Sequence, residues 1–420
     1  MGTLDIWWDG RIAGQLTQNR HGELGFVYSA DWLARESAPA LSVSLPKRVE
    51  SYSRRECRPF FGGLLPEESQ RDAAAQALGV SRGNDFALLE RLGGDVAGAL
   101  QLLPPGEAPT EPPCGQRTAP LDEAGLIRVL DALPVRPLLA GEEGLRLSLA
   151  GAQSKVPVVL VDGAVALPGL GQPTTHILKP PISRFAATTE NEVFVMRLAA
   201  AIGLDVAPVE PRAVRDRTFL LVQRYDRFVG PDGGVRRLHQ EDFCQALGVP
   251  PETKYASEGG PAFKDCFALL RRVAARPAPD LLKLLDAAVF NLIAGNADAH
   301  GKNFSILYDG EGPRLAPLYD LLATVAYPEL SGRLAMKIGK RATLAEMDAK
   351  GWAAFAADTG LGLPLIRRRV AEISEGVKAA AHDVAGALAN SPLDEPALSG
   401  FAALVCDRAE RCVSTVHMRA

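Results

Sequence analysis

A change of hydrophobic pattern along the chain constrains the fold most. Residues 144–228 show short apolar segments separated by tight turns, interrupted by one stretch with helical spacing, ENEVFVMRLAAAIGL. From Gln240 onward the spacing is mostly helical, apart from FSILYDGEGPRLAPL, which is typical of a hairpin. Alternation favours strands and a 3.6-residue period favours helices. We therefore predict an α+β protein with a β-rich lobe followed by a helical lobe, an order that would suit nucleotide binding.

The first hundred residues predict a small additional α+β subdomain. Asp9-Gly10 lies between LDIWW and RIAGQL and favours a hairpin, because both residues tolerate positive φ. GFVYSA and ALSVSL are predicted strands, and a helix should begin near Pro66. The predicted domains are a subdomain over 1–103, a proline-rich connector over 104–120, a β-rich lobe over 121–228 and a helical lobe over 229–420.

Composition excludes several functional classes. The net charge of −4 gives no global reason for nucleic-acid binding. The six cysteines are scattered without a CxxC pair, which argues against structural zinc and fits reduced thiols. The N-terminus lacks the pattern of a signal peptide, and the apolar stretch LLKLLDAAVFNLIAG is interrupted by Lys283 and Asp286. We expect a soluble, cytoplasmic protein.

The run NADAHGKNFS carries the main candidate for catalysis. Asp298 and Asn303 are five positions apart, as in a protein-kinase catalytic loop, where an aspartate accepts a hydroxyl proton and an asparagine binds magnesium. Asp320 follows the predicted hairpin, which would bring it beside Asn303 as a second metal ligand. The alternative is that these polar residues only stabilise turns.

A lysine and a helix offer a second kinase-like pair. Lys179 ends the predicted strand in TTHILKPP, from which its ammonium could reach a phosphate. The next helix offers Glu190 and Glu192 as partners, of which we prefer Glu192 because it lies further inside the helix. Most strand lysines simply face solvent, and that alternative stays open.

Two further segments give weaker indications of nucleotide binding. RLSLAG is a predicted strand, and LSLAGAQSK, over 147–155, is interpreted as the loop at its end, whose small residues at 150–152 allow close approach of backbone N–H groups to phosphate. Ser148 in it is a possible phosphorylation site. Residues 223–225 end the last strand before the helical lobe, where backbone groups could contact adenine. The alternatives are an ordinary turn and a surface strand end.

The order of these motifs is that of a kinase, and the chain resembles the HipA family of kinase toxins from bacterial HipBA toxin–antitoxin modules. The resemblance runs almost end to end. The motifs that carry it are WWDGRIAGQL, ADWL, LSVSLP, DFALLERLGGDVAGAL, LSLAGAQSK, TTHILK, NEVFVMRLAAAIGL, QRYDR, QEDFCQALG, KYASEGGP, NADAHGKNFS, PLYD and LAMKIG.

This resemblance implies a two-lobed protein-kinase-like fold, ATP and Mg²⁺ as cofactors, and a role for each matching residue. Asp298 would be the proton acceptor, Asn303 and Asp320 the magnesium ligands, and Ser148 the autophosphorylation site whose modification ejects the loop and switches the enzyme off. The implied ATP-binding residues are Ala150, Gly151, Ala152, Gln153, Ser154, Lys155, Lys179, Gln223, Arg224, Tyr225, His300, Gly301, Lys302, Asn303, Tyr319 and Asp320.

Two positions depart from the family pattern. Gln223 stands where an acidic residue can occur, which matters little if adenine is recognised by backbone. Ser154 replaces an acidic residue and places a second hydroxyl in the loop, so either Ser148 or Ser154 could be the main autophosphorylation site.

The resemblance also implies partners. These are a HipB-like helix-turn-helix antitoxin, operator DNA bound through the complex for corepression, and a protein substrate, for which the family's known targets suggest an aminoacyl-tRNA synthetase. Phosphorylation of a synthetase would arrest growth.

Two alternatives to a toxin kinase remain from the sequence. One is a small-molecule kinase of the aminoglycoside-phosphotransferase type, which shares the base and metal ligands. The other is a catalytically idle corepressor, for which Lys337, Lys340 and Arg341 form a small basic patch that could contact DNA phosphates, unless it is only a solvated loop.

Overall fold

The computed structural model describes residues 2–110 and 118–417. Part of the predicted connector, 111–117, lies outside the described residues. The chain forms two compact units. The first unit consists of Met1–Pro180 and Leu221–Glu252, and the second of Pro181–Leu220 and Thr253–Ala420. The two units are defined by contacts within the chain, and their limits differ from the predicted domain boundaries. Those boundaries stay predictions.

The strands are short. In chain order they are β1 (Gly2–Trp8), β2 (Arg11–Gln18), β3 (Leu24–Tyr28), β4 (Gln101–Leu103), β5 (Val156–Val161), β6 (Ala164–Ala166), β7 (His176–Lys179), β8 (Val209–Val214), β9 (Arg217–Gln223), β10 (Arg227–Val229), β11 (Val235–Arg237), β12 (His239–Asp242), β13 (Ser305–Asp309) and β14 (Gly312–Leu315).

The longest helices lie toward the C-terminal end. In chain order they are α1 (Ala30–Ala34), α2 (Arg54–Gly63), α3 (Glu68–Leu78), α4 (Asp85–Leu92), α5 (Glu123–Ala132), α6 (Thr188–Ala201), α7 (Phe243–Leu247), α8 (Phe263–Val273), α9 (Pro277–Ala294), α10 (Ala349–Thr359), α11 (Leu363–Leu388) and α12 (Glu395–His417). Across the described part of the chain, none of these is both long enough and apolar enough to cross a bilayer.

In the first unit, β1 to β4 form an antiparallel sheet in the order β3-β2-β1-β4. The Asp9-Gly10 hairpin is confirmed, with φ values of 51° and 68° as the tight turn requires. The strand predicted at ALSVSL is wrong. That segment makes only an isolated bridge between Ser42 and Leu45, because the buried Glu241 carboxylate accepts from Val43 N–H at 3.0 Å and from the Ser42 hydroxyl.

A second antiparallel sheet of the same unit contains β6, β5 and β7, in that order. The strand predicted at RLSLAG is also wrong. Leu147 makes only an isolated bridge with Asp95, after which the chain turns into the loop that precedes β5. Directly after β9, the chain lies next to the residue that precedes β7, because Arg224 N–H donates to the Thr175 carbonyl at 2.9 Å.

In the second unit, α11 packs along α12 and also contacts α6 and α9. Every residue of α9 from Leu284 to Ala294 is buried there, whereas Leu282 near its start is exposed. The hairpin predicted at 304–318 is confirmed as β13 and β14, which pair from Ile306–Leu315 to Asp309–Gly312. Asp298 lies just after α9 and Asp320 just after β14, so these elements position the two ends of the candidate site.

A buried charged cluster connects the subdomain helices of the first unit to its later strands. The Asp95 carboxylate accepts from Arg224, Arg227 and Arg237 at 2.9 to 3.3 Å and from Thr174 Oγ1 at 2.7 Å. Burial alone would raise the pKa of Asp95, but the three guanidinium groups outweigh it and hold that pKa well below its usual range. The carboxylate is therefore ionised, and the arginines depend on it for charge compensation.

Replacement of Asp95 by Asn should strongly destabilise the protein, because it leaves Asp226 to compensate Arg224 and Arg227 and removes the carboxylate paired with Arg237. We expect the free energy of unfolding in urea to fall by about 3–5 kcal/mol. The matched control is Asp72→Asn, at the exposed pair between Asp72 and Arg82, which should change it by less than about 1 kcal/mol. Equal effects of the two substitutions would contradict the role given to Asp95.

Buried His239 should make the first unit sensitive to mild acid. Burial lowers the pKa of His239 to about 4, although its hydrogen bond to the Leu41 carbonyl opposes this. The unfolded chain has a histidine pKa of about 6.5, so between that pH and the folded pKa it binds a proton that the folded chain does not bind. The free energy of unfolding should fall between pH 6.5 and pH 4, by something on the order of 3 kcal/mol. His239→Phe should remove this slope in urea titrations, whereas substitution of the exposed His21 by Gln should keep it.

Candidate active site

The loop that carries Asp298 begins where α9 ends. Gly295 terminates the helix in a left-handed conformation, with φ of 79°, and its N–H donates to the Asn291 carbonyl. A Cβ atom at Gly295 would lie 2.2 Å from Val325 Cγ2, so glycine is required there by packing as well as by conformation. The chain then turns sharply, and His300 N–H donates to the Asp298 carbonyl at 2.8 Å. The sequence thus places Asp298 in a tight, well-determined turn.

The structure brings Asn303 and Asp320 together. Asn303 Nδ2 donates to Asp320 Oδ2 at 3.2 Å, and Asn303 Oδ1 accepts from His300 N–H at 3.1 Å. Asp320 has a φ of 59°, a conformation that aspartate tolerates better than most residues and that clusters at functional sites. A carboxylate and a carboxamide oxygen are hard ligands of the kind that Mg²⁺ prefers, and the residues fit this ion through Asp320 and through the second lone pair of Asn303 Oδ1, whose Nδ2 faces Asp320 here.

The segment after Asp320 is fixed to the end of α9. Thr324 Oγ1 donates to the Gly295 carbonyl at 3.0 Å and accepts from Ala297 N–H at 2.8 Å. The buried Asn191 side chain of α6 forms two hydrogen bonds with the backbone of Ala323, at 2.7 and 3.1 Å. The Asp298 loop and the Asp320 segment therefore share one hydrogen-bonded support.

The remaining predicted residues of this loop have mainly buried side chains. His300 and Lys302 are only 6% and 7% exposed. The Tyr319 hydroxyl donates to the Lys302 carbonyl at 2.7 Å and lies 2.7 Å from Ser305 Oγ. This interaction fixes the loop, and the predicted nucleotide contacts of these residues stay predictions.

Asp298 itself has an exposed side chain. Its Oδ1 accepts a hydrogen bond from the Tyr255 hydroxyl at 2.9 Å. In the sequence, Tyr255 appears only within the family motif KYASEGGP and carries no signal of its own. No spacing rule links residues 255 and 298, so only the tertiary structure identifies this contact.

In the first unit, the predicted phosphate loop is held by the segment between α2 and α3. Ser148 Oγ donates to the Leu64 carbonyl at 2.7 Å, and Ser148 N–H donates to the Asp95 carbonyl at 3.0 Å. The Gly151 carbonyl accepts from Glu67 N–H at 3.2 Å, and Ser154 Oγ donates to the Gln70 side chain at 3.1 Å. The sequence predicted the loop but not these supports.

Ser148 and Gly151 have contrasting environments within this loop. Ser148 is 0% exposed, so its hydroxyl cannot reach a phosphate donor while the loop keeps this conformation. Gly151 has a φ of 115°, and a Cβ atom there would lie 2.4 Å from Lys155 Nζ, whose ammonium donates to the Ala150 carbonyl. A side chain at position 151 would therefore displace Lys155.

The other predicted contacts of the first unit lie at the ends of β7 and β9. Lys179 is 7% exposed at the end of β7, and Gln153 Nε2 donates to the next carbonyl, that of Pro180, at 3.3 Å. Arg224 is used structurally, because its side chain binds Asp95 and Asp226. Gln223 is exposed and the Tyr225 hydroxyl donates to Gln240. The nucleotide contacts of these residues stay predictions.

The predicted glutamate partners of Lys179 belong to α6. Both Glu190 and Glu192 are buried. Glu190 Oε1 accepts from Asp394 N–H at 3.4 Å, close to the start of α12. The preference for Glu192 as the lysine partner stays a prediction.

The predicted basic patch is partly neutralised. Arg341 forms a bidentate pair with Asp348, at 2.8 and 3.0 Å. Lys337 and Lys340 are exposed. Two exposed lysines leave a smaller positive surface than the sequence suggested.

Comparison with known proteins decides the family. The HipA N-terminal domain model matches residues 4–103, and the model of the HipA-like C-terminal domain matches 147–385. Y4mE of Sinorhizobium fredii is 68% identical over 409 residues, which are 97% of each chain. This chain belongs to the HipA family. It is a HipA-like serine/threonine kinase, which confirms the predicted enzyme class.

Two further comparisons extend over almost the whole length. The serine/threonine-protein kinase toxin HipA of Shewanella oneidensis is 31% identical over 425 residues, 98% of this chain and 95% of that one. The structure of Shewanella oneidensis HipA, solved with HipB and its operator DNA, matches with a TM-score of 0.85 and 28% identity over 99% of this chain and 100% of that chain. The predicted α+β HipA-like fold is therefore confirmed.

A negative charge at Ser148 should expel the loop, because a buried carboxylate without a cation costs several kcal/mol. In Ser148→Asp we expect faster amide hydrogen exchange over 147–155 than in the parent protein. Ser154→Asp is the matched control: Ser154 is half-buried, so a charge there can reach water and exchange should change little. Equal protection in the parent and in Ser148→Asp would contradict this expectation.

Proposed function

We propose that this HipA-family kinase is the toxin of a type II toxin–antitoxin module and that Asp298 is its catalytic base. The observation that carries the proposal is the arrangement in the second unit, where Asn303 and Asp320 are in contact and the Asp298 loop shares their support. A base and two metal ligands on one rigid support are what phosphoryl transfer requires of a protein, since catalysis there is mainly positioning and charge stabilisation.

The proposed reaction transfers the γ-phosphoryl group of ATP to a serine or threonine hydroxyl. The hydroxyl oxygen forms a bond to the γ-phosphorus, the bond to the ADP oxygen breaks, and the hydroxyl proton passes to Asp298. Asp320 and Asn303 would hold Mg²⁺, which neutralises charge on the phosphates. Lys179, the 150–155 loop and backbone groups of 223–225 are further proposed contacts to ATP.

We propose Ser148 as the principal autophosphorylation site. Its complete burial supports a switch, because the folded loop cannot accommodate a phosphoryl group at a hydroxyl that is bonded to the Leu64 carbonyl. Phosphorylation of Ser148 would require the loop to move away from the Leu64 carbonyl, and the phosphorylated loop could not regain its folded conformation. Ser154, half-buried, is the second candidate.

The proposed partners follow from the relatives. The Shewanella oneidensis relative was solved with HipB and operator DNA. By analogy, we propose a HipB-like antitoxin, corepression through operator DNA, and a protein substrate that is an aminoacyl-tRNA synthetase. Lys337 and Lys340 are the remaining candidates for contact with DNA phosphate, alongside Arg341, whose charge is shared with Asp348.

The central test is Asp298→Asn. We expect loss of phosphoryl transfer from ATP to protein, by at least about 100-fold, and loss of growth arrest on induction, with antitoxin binding retained. Asp358→Asn, at an exposed position near the end of α10, is the matched control and should remain active. The readouts are radiolabelled phosphate on protein, growth after induction, and pull-down of the proposed HipB-like antitoxin.

Three outcomes would change the proposal. Unchanged growth arrest in Asp298→Asn would indicate an idle corepressor. Phosphorylation of small alcohols or sugars but not of protein would indicate a small-molecule kinase. Phosphoproteomics of induced cells without a modified aminoacyl-tRNA synthetase would refute the substrate class while leaving the kinase assignment intact.

A further inference from the structure

A tyrosine hydroxyl contacts the proposed base. Tyr255 Oη donates to Asp298 Oδ1 at 2.9 Å, and the Asp298 side chain is exposed. An exposed aspartate samples several rotamers, and fixing one of them has an entropic cost. A hydrogen bond from a rigid phenol restricts the carboxylate to one orientation, which is how a catalytic group is preorganised.

The Tyr255 ring is itself restrained by neighbouring side chains. It meets the His300 ring edge to face, with centroids 5.3 Å apart and planes at 76°. Lys254 Nζ lies 5.3 Å from the centroid of the same ring, and Lys254 is only 6% exposed. An aromatic edge contact and a cation near the ring face each favour the observed ring orientation. The hydroxyl is therefore directed at Asp298 by contacts other than the hydrogen bond.

The backbones of the two loops are connected through Ala335. Ala335 N–H donates to the Ala297 carbonyl at 2.7 Å, next to Asp298, and the Ala335 carbonyl accepts from Ala256 N–H at 3.3 Å, next to Tyr255. Gly260 N–H closes the Tyr255 loop by donating to the Tyr255 carbonyl at 2.9 Å. The separation of the two side chains is thus set by backbone hydrogen bonds on both sides.

We propose that Tyr255 is a positioning residue for Asp298, which orients the carboxylate and stabilises its ionised form for proton acceptance. The proposal rests on the proposed role of Asp298 as catalytic base. A donor to a carboxylate favours the charged form, so loss of the hydroxyl makes the carboxyl protonate at higher pH. The titratable side chains seen against the Tyr255 ring are Lys254 and His300.

The test compares Tyr255→Phe with the parent full-length protein. This substitution keeps the ring and its contacts with His300 and Lys254 and removes only the hydroxyl. We expect kcat to fall about 10- to 100-fold near neutral pH, as for loss of a hydrogen bond to a charged group. The KM for ATP should not change, and the acidic limb of the pH profile of kcat/KM should move to higher pH, with partial recovery of activity in alkali.

A matched control is Tyr28→Phe. The Tyr28 hydroxyl donates to the Leu45 carbonyl and accepts from Leu41 N–H in the first unit, so its loss should lower stability without moving the pH profile. A purely structural effect of Tyr255→Phe would resemble this control. A fall in kcat without movement of the acidic limb would therefore overturn the proposal.

The outcomes separate this inference from the proposed function. If Asp298→Asn retains full activity, the base assignment fails, and the inference with it. If Asp298→Asn is inactive but Tyr255→Phe has the parent kcat and pH profile, only the inference fails. If Tyr255→Phe is more active than the parent, the hydroxyl blocks access to the base, and a positioning role is excluded.

Discussion

The interaction on which the first unit depends is the buried charge cluster around Asp95. Its carboxylate binds the arginines 224, 227 and 237 and the hydroxyl of Thr174, which precedes β7. Its backbone carbonyl accepts from Ser148 N–H at the start of the predicted phosphate loop. One residue of the N-terminal subdomain thus fixes both the loop and the strand that leads to Lys179. Loss of that charge should disturb the candidate ATP contacts of this unit as well as its stability.

The second unit uses backbone hydrogen bonds for the same purpose. Gly295, Ala297 and Thr324 connect the Asp298 loop to the Asp320 segment, and Ala335 connects the loop of Tyr255 to that of Asp298. These contacts keep the exposed Asp298 and the half-buried Asn303, Asp320 and Tyr255 at fixed separations. Such support suits a kinase, because the base and the metal ligands must stay in register while remaining accessible to substrate.

Local sequence signals predicted some elements and failed at others. Asp9-Gly10 and the hairpin before Asp320 were confirmed because a turn and its flanking strands are specified by adjacent residues. ALSVSL and RLSLAG alternate as strands do, yet neither forms one. Their backbone groups are satisfied by distant partners, Glu241 in one case and Asp95 in the other. An alternation of apolar and polar residues identifies a half-buried extended segment, but it does not predict which part of the chain will pair with that segment.

The sequence by itself determined the enzyme class and the candidate residues, because the order and spacing of the kinase motifs lie within short segments. Asp298, Asn303 and Asp320 could be chosen in this way, as could the loop around Ser148. Only the tertiary structure decided that Ser148 is completely buried against Leu64 and that Tyr255 donates to Asp298. Both contacts join residues far apart in the chain. Such contacts depend on how distant backbone segments pack, and no local pattern of residue types encodes that packing.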